Sequence, residues 1–192
     1  DGYKRQTKGV RKRGLGVKAK RTENNVTIIS GEASVVDKNT IRCGEETYAC
    51  ENLLLCTGSE TMIPPIQGVD AVPYWTHRDA LDSKELPASL VIVGGGVIGI
   101  EFASFFNSLG VEVTVIEMLD EILTGMDKEL SGLLRAEYTK RGVKFLLSTK
   151  VIALATEGDN VTVSYENAEG QGSATAAKLL LSAGRRPVTK GF

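Results

Sequence analysis

Leu90-Val91-Ile92-Val93-Gly94-Gly95-Gly96-Val97-Ile98-Gly99-Ile100-Glu101 is the stretch that decides how this chain folds. Four large apolar residues read as a buried strand, the glycines as a turn, and the apolar residues behind them as the start of a helix. The spacing Gly94-x-Gly96-x-x-Gly99 suits a dinucleotide pyrophosphate. Gly94 permits a tight turn, and Gly96 puts no side chain between the backbone and the phosphates. Gly99 lets the new helix lie close on the strand it has left. The pyrophosphate would sit at the helix N-terminus, where unpaired N–H groups and the helix dipole favour negative charge.

The flanks extend the pattern. Ile98, Phe102, Phe105, Phe106 and Leu109 recur at helical spacing, and Gly110 stands where a helix ends. A strand over 111–116 follows and closes on Glu117, 21 residues beyond Gly96. An acid about 20 residues on is the residue that holds an adenosine ribose. A helix is expected over 127–141 with Leu130, Leu133, Leu134 and Tyr138 inward, then a strand over 143–147. Strand-like runs at 149–157, 160–166 and 173–181 are joined by hairpin signals at Gly158-Asp159-Asn160 and Ala168-Glu169-Gly170. The pattern predicts an α/β, Rossmann-like fold, with a parallel βαβαβ sheet and helices, an antiparallel β-meander and a returning strand.

The N-terminal part reads differently. Residues 1–22 suggest a helix end and then a strand around Val17. Short strand-like runs follow at 26–29, 34–36, 40–43 and 47–50, with a Gly44-Glu45-Glu46 turn pairing position 43 with 47. Asn52 to Ser59 reads as an apolar strand ending in small residues, and Pro64, Pro65 and Pro73 mark an extended linker.

Composition bounds the function. The 192 residues are 42% apolar with a net charge of −1, as in a soluble globular protein, and nothing in the balance calls for nucleic acid or a membrane. The apolar run 90–106 is shorter than a membrane span needs. No secretory leader is visible in the first 22 residues, which are basic. They carry a formal charge of +8 against −9 for the remainder, but Tyr3 is their single aromatic, so they read as a solvated segment. Cys43 and Cys50 would be offset by about 10 Å along paired strands, beyond the roughly 7 Å that a disulfide spans. With Cys56 they suggest reduced thiols and a cytoplasmic location. His77 adds too few ligands for a metal site.

Three blocks together resemble the pyridine-nucleotide disulfide oxidoreductase family, and within it the dihydrolipoamide dehydrogenases. Cys56-Thr57-Gly58-Ser59 is similar to the family's Ala-Thr-Gly-Ser strand end, Gly94 to Glu101 to its NAD loop, and Ala183-Gly184-Arg185-Arg186-Pro187 to its Gly-Arg-x-Pro turn. Their order and spacings of 36 and 90 residues match as well, and Met118 to Leu123 favours the dehydrogenase. Cys56 replaces the usual Ala, and Glu60-Thr61 the usual x-Pro. The resemblance implies a central piece of a longer flavoprotein. Residues 1–75 would be a β-rich segment of the FAD-binding domain with a linker, and 76–192 the NAD-binding domain. The redox Cys-x4-Cys and first flavin loop would lie upstream. A His–Glu acid/base pair and a dimerisation domain would lie downstream, so no catalytic residue is expected within the chain.

The resemblance also implies roles. Gly94, Gly95, Gly96, Val97, Ile98 and Gly99 would cradle the NAD pyrophosphate, and Glu117 would hold the ribose hydroxyls and disfavour a 2′-phosphate. Glu101, read as lying in the first helical turn, would sit beside the nicotinamide. Val151 would line the adenine pocket, and Gly184 would close the nicotinamide side. Ala33, Thr57, Gly58 and Ser59 match flavin-contacting positions, although FAD is expected only in the intact enzyme. Arg185 and Arg186 are open to a nucleotide phosphate or to an ion pair with the flavin domain. The function implied is NAD(H) binding for hydride exchange with FAD in a dihydrolipoamide dehydrogenase, with a lipoyl-bearing multienzyme complex as partner and a homodimer for the intact enzyme. Alternatives are another NADH-dependent flavoprotein disulfide reductase, an NADH oxidase, or a non-catalytic NAD-sensing module.

Overall fold

A computed structural model describes residues 2–192 and begins with a long helix, α1 (Gly2–Glu23), which takes up the described part of the basic segment. No strand forms around Val17. Lys and Arg are good helix formers, and Lys20 and Arg21 in the last turn complement the helix dipole. Gly9, Gly14 and Gly16 lie inside it, each costing about 1 kcal/mol relative to Ala.

Next come β1 (Ala33–Asp37), β2 (Thr40–Cys43) and β3 (Glu46–Ala49), an antiparallel sheet in the order β1-β2-β3. Cys43 pairs with Glu46, one residue tighter than the expected register. Gly44, at φ 62°, supplies the left-handed residue that a two-residue hairpin loop needs. The cysteines are free thiols. The runs at 26–29 and 52–58 form no strand, which corrects both expectations. Their apolar side chains meet little that would hold them extended, and Leu54 is 83% exposed. These elements belong to one compact unit, made of residues up to Thr57 with Thr189–Phe192; the second unit is Gly58–Val188.

The second unit contains β4 (Ser59–Thr61), α2 (His77–Asp82), β5 (Ser89–Val93), α3 (Val97–Ser108), β6 (Glu112–Ile116), α4 (Lys128–Lys140) and β7 (Lys144–Leu146). It continues with β8 (Lys150–Glu157), β9 (Asn160–Asn167), β10 (Gly170–Ala176), β11 (Lys178–Leu181) and β12 (Arg185–Pro187). Four strands form a parallel sheet in the order β11-β5-β6-β7. Its central strand β5 is apolar on both faces because both faces are covered. Leu90 and Ile92 face Ile100, Ala103 and Phe106 of α3, whereas Val91 and Val93 share a second core with Leu154, Val161, Val163 and Ala176 of the meander β8-β9-β10. The run 173–181 is therefore two strands. Up to Ala176 it pairs antiparallel with β9, and from Lys178 it pairs parallel with β5.

The proline-marked segment is extended but not a free linker. Ile63, Ile66, Val69 and Val72 join the second core, and Trp75 N donates to Leu179 O at 2.7 Å. Helix α2 carries no apolar periodicity that foretells it. It is started by a capping box in which Thr76 and Asp79 bond reciprocally. The Asp79 carboxyl is held below its ordinary range, chiefly by the Thr76 hydroxyl and amide.

Both long helices of this unit turn slightly from their expected inner faces. On α3 the buried residues are Gly99, Ile100, Ala103 and Phe106, while Phe105 and Leu109 are about half exposed. On α4, started by Asp127 accepting from Glu129 N and Leu130 N, the inward residues are Ser131, Leu134 and Tyr138. Leu130 and Leu133 are more than 60% exposed. Small Ser131 admits the close approach, but its hydroxyl is buried with no hydrogen-bond partner among the described residues. Ser131→Ala removes that unsatisfied group and improves helix propensity, so it is expected to stabilise the unit by about 1 kcal/mol in chemical denaturation.

Candidate functional site

The chain leaves β5 at Val93 and must turn sharply to enter α3. Gly94 makes the turn at φ 111°, a backbone conformation unfavourable for side-chain-bearing residues. A Cβ there would lie 2.5 Å from Ser182 O, because the end of β11 passes directly beside the loop. A Cβ on Gly99 would lie 2.0 Å from Gly94 O and 2.9 Å from Ser182 Oγ. Gly96 differs from both: a Cβ there would meet nothing within 4 Å. Two glycines are thus required by protein packing, and the third borders open space. That space adjoins the first turn of α3, whose N-terminus has no side-chain cap bond. The residues fit a dinucleotide phosphate, since the backbone amides that begin a helix have no intrahelical acceptors.

The loop stands at the point where strand order reverses, between β5 and β11, at the carboxyl ends of the strands. Open α/β sheets bind ligands at such a crevice. Glu117 follows β6 and turns back to the loop. Its carboxylate accepts from Gly95 N at 2.5 Å and from Leu119 N at 2.8 Å. Half-buried Glu117 therefore borders the glycine loop from the β6 side.

The other expected positions are distributed around this centre. Val97 is exposed and Ile98 half-buried at the start of α3. Glu101 is exposed and lies just beyond the first turn rather than in it, since α3 begins at Val97. It borders a cleft of about 540 Å³ with Val97, Ile100, Ser104, Leu123 and Met126 among its walls. Val151 is half-buried in β8, and the neighbouring Thr149 N donates to Glu117 O at 2.9 Å. Gly184, at φ 121°, follows β11, and its carbonyl accepts from Met62 N. Ala33 begins β1 and Thr57 lies in the irregular segment of the first unit, whereas Gly58 and Ser59 belong to the second.

Arg185 and Arg186 have partners within the second unit. β12 pairs with β4, Arg186 meets Glu60 at 2.7 Å, and Arg185 Nε donates to Ser59 Oγ at 2.9 Å. His77 is half-buried between Thr61 and Arg185, and burial and then the Arg185 charge hold its pKa below the ordinary value. Among the described residues no cluster of three or more His, Cys, Asp or Glu is placed to hold a metal, and no helix is long and apolar enough to cross a membrane.

Sequence reasoning passes over three residues that shape the loop. Buried Ser182 directs its hydroxyl to Val93 O and Gly94 O, each at 3.2 Å. Ile122 packs beneath Gly95, and Leu123 N donates to Gly95 O at 2.9 Å. A small polar residue directly after an apolar strand was the available signal for Ser182. The loop contacts of Ile122 and Leu123 leave no periodic trace.

The comparisons with known proteins agree with this geometry. The family model for pyridine nucleotide-disulphide oxidoreductases matches residues 3–192. Dihydrolipoyl dehydrogenase of Haloferax volcanii is 34% identical over 174 residues, covering 86% of this chain and 37% of that protein. The mitochondrial dihydrolipoyl dehydrogenase of Caenorhabditis elegans is 35% identical over 185 residues, covering 92% and 37%. The HOCl-induced flavoprotein disulfide reductase RclA from Escherichia coli superposes with a TM-score of 0.73 at 27% identity, over 95% of this chain and 43% of that structure. The chain thus spans little more than a third of the length of these two curated relatives. With the glycine loop at the switch point, the FAD/NAD-binding fold and these matches in agreement, the chain belongs to the pyridine nucleotide-disulphide oxidoreductase family.

Proposed function

We propose that this chain is the NAD(H)-binding portion of a flavin-dependent dihydrolipoamide dehydrogenase. One observation carries the reading: the Gly94–Gly99 loop opens at the strand-order reversal with the Glu117 carboxylate beside it. In this assignment residues 76–192 bind NAD(H), and residues 1–75 contribute to the flavin side. Ala33, Thr57, Gly58 and Ser59 would hold FAD in the whole protein. The nicotinamide ring supplies hydride chemistry when bound. The chain's own part is to bind and orient: amides at the start of α3 for the pyrophosphate, Glu117 for the ribose hydroxyls, and Val151 for the adenine. Glu101 and Gly184 would border the nicotinamide. A reducing, cytoplasmic setting is part of the same proposal, from the chain's cysteine usage.

Charge favours NAD over NADP. A 2′-phosphate would meet the Glu117 carboxylate, and the next cation along the chain, Lys128, is paired with Asp120 at 2.8 Å. That pair holds the Asp120 carboxyl below its ordinary range. Titrating the chain with NADH and NADPH by nucleotide fluorescence tests this reading. NADH is expected to saturate at lower concentration. Glu117→Ala is expected to weaken NADH about tenfold, the scale of one charged hydrogen-bonding group, and to strengthen NADPH, because the charge that opposes a 2′-phosphate is gone. Equal binding of both nucleotides by the wild type would overturn the charge argument, and no NADH binding at millimolar concentration would overturn the reading.

A second reading, a different NADH-dependent disulfide reductase, is favoured by the likeness to RclA. It shares the nucleotide site and differs in the disulfide reduced. Assaying the whole flavoprotein with dihydrolipoamide separates the two.

A further inference from the structure

The glycine loop is held from the α4 side by the segment between Glu117 and α4. Three contacts converge on Gly95. Its N–H donates to Glu117, its carbonyl accepts from Leu123 N, and Ile122 packs beneath it so closely that a Cβ would lie 3.1 Å from Ile122 Cγ2. Leu123 makes its contact from a left-handed backbone, φ 52°, that a leucine adopts only when its surroundings hold it there. Glu121 lies immediately upstream. Its carboxylate is 14% exposed and takes a bidentate pair from Arg135 of α4, Nε to Oε1 at 2.8 Å and Nη2 to Oε2 at 2.9 Å. Oε1 also accepts from Ile122 N at 2.9 Å, so the same carboxylate orders the backbone that leads into Leu123.

We infer that Arg135 is a positioning residue for the nucleotide loop, acting through Glu121, Ile122 and Leu123 to hold Gly95. A planar guanidinium gripping a mostly buried carboxylate by two bonds fixes direction as well as distance. The Arg135 hydrogen bond is the largest influence holding the Glu121 carboxyl below its ordinary pKa, consistent with an ionised pair. Both hydrogen bonds of the Arg135 guanidinium go to Glu121, so its effect on nucleotide would be indirect. The neighbouring Asp120–Lys128 pair makes a useful contrast, being about three-quarters exposed on both partners. It carries no such directional constraint.

This inference rests on the proposal that the chain binds NADH, and two measurements keep the two claims separate. The first is amide hydrogen exchange on the nucleotide-free chain. In Arg135→Ala the amides of Gly95 and Leu123 are expected to exchange at least tenfold faster, while those of β5 and β6 keep their protection. The second is NADH affinity. Arg135→Ala is expected to bind roughly tenfold more weakly. Arg135→Lys, which keeps the charge and one contact, should recover part of the loss, and Glu121→Ala combined with Arg135→Ala should be little worse than either alone. Lys128→Ala should leave both readouts at wild-type values. Unchanged exchange at Gly95 and Leu123 in Arg135→Ala would overturn the positioning role whatever the affinity, and so would loss of protection across β5 and β6 alike. If wild-type chain binds no NADH, the functional reading fails and the exchange pattern alone judges the clamp.

Discussion

Gly94→Ala is expected to destabilise the second unit by about 2–4 kcal/mol and to abolish measurable nucleotide binding. Two costs coincide there. The backbone sits at φ 111°, and the new methyl would lie 2.5 Å from Ser182 O and 2.7 Å from its carbonyl carbon. Neither neighbour can yield easily. Ser182 is tied to β5 by its amide to Val93 O at 2.9 Å, and Gly94 to β6 by its amide to Ile116 O at 2.9 Å. Relief must come from parting β5 and β11 at the ends that form the site. Gly96→Ala provides the contrast, because its methyl meets no protein atom within 4 Å. That variant should stay within about 1 kcal/mol of wild type, the scale of a helix N-cap change. It should still lose nucleotide affinity, because the methyl occupies the space left for phosphates. Urea denaturation and NADH titration on both variants decide the matter; equal stability of the two would contradict the packing described.

Phe106→Ala is expected to cost about 3–5 kcal/mol, the usual range for truncating a buried phenylalanine. Phe106 is 1% exposed at the centre of the helix-side core. Its ring lies 6.1 Å from both Trp75 and Phe102 and meets Phe105 edge-on at 5.2 Å. Those neighbours sit on the proline-marked segment and on α3, so they cannot collapse far into the void. The melting temperature should fall by about 10 °C or more. Phe106→Leu, retaining most of the volume, should lose much less. The carbonyl of Phe106 accepts from Leu109 N and Val111 N, contacts that the alanine variant keeps. The loss therefore measures packing rather than the helix end. A small change in Phe106→Ala would mean that the core relaxes into the space.

Much of the candidate site was legible because its signals are local. The strand–glycine–helix order, Gly110 and Gly142 as helix stops, and Glu117 after β6 all lie where the sequence pattern puts them. The hairpin signals at 158–160 and 168–170 also mark real turns. Misreadings arose where composition competes with context. The three glycines of α1 suggested a break, yet its lysines and arginines sustain the helix. Asn52–Leu55 has a strand's composition but pairs with no strand among the described residues. On α4 the leucines at 130 and 133 drew attention from Ser131, the residue whose small size allows burial there.

The amino-acid sequence by itself determined the βαβ unit, its glycine turn and the acid beside it. Period-two and period-3.6 patterns and glycine conformations act over a few residues and need no distant partner. Only the tertiary structure decided that the chain divides at Ala177, leaving the meander to place β11 against β5. That pairing brings Ser182 to Gly94 from 88 residues away and creates the crevice where strand order reverses. It likewise decided that Arg135, through Glu121, grips the segment that holds Gly95. Such contacts depend on which apolar surfaces find each other across long loops, and no local pattern records that choice.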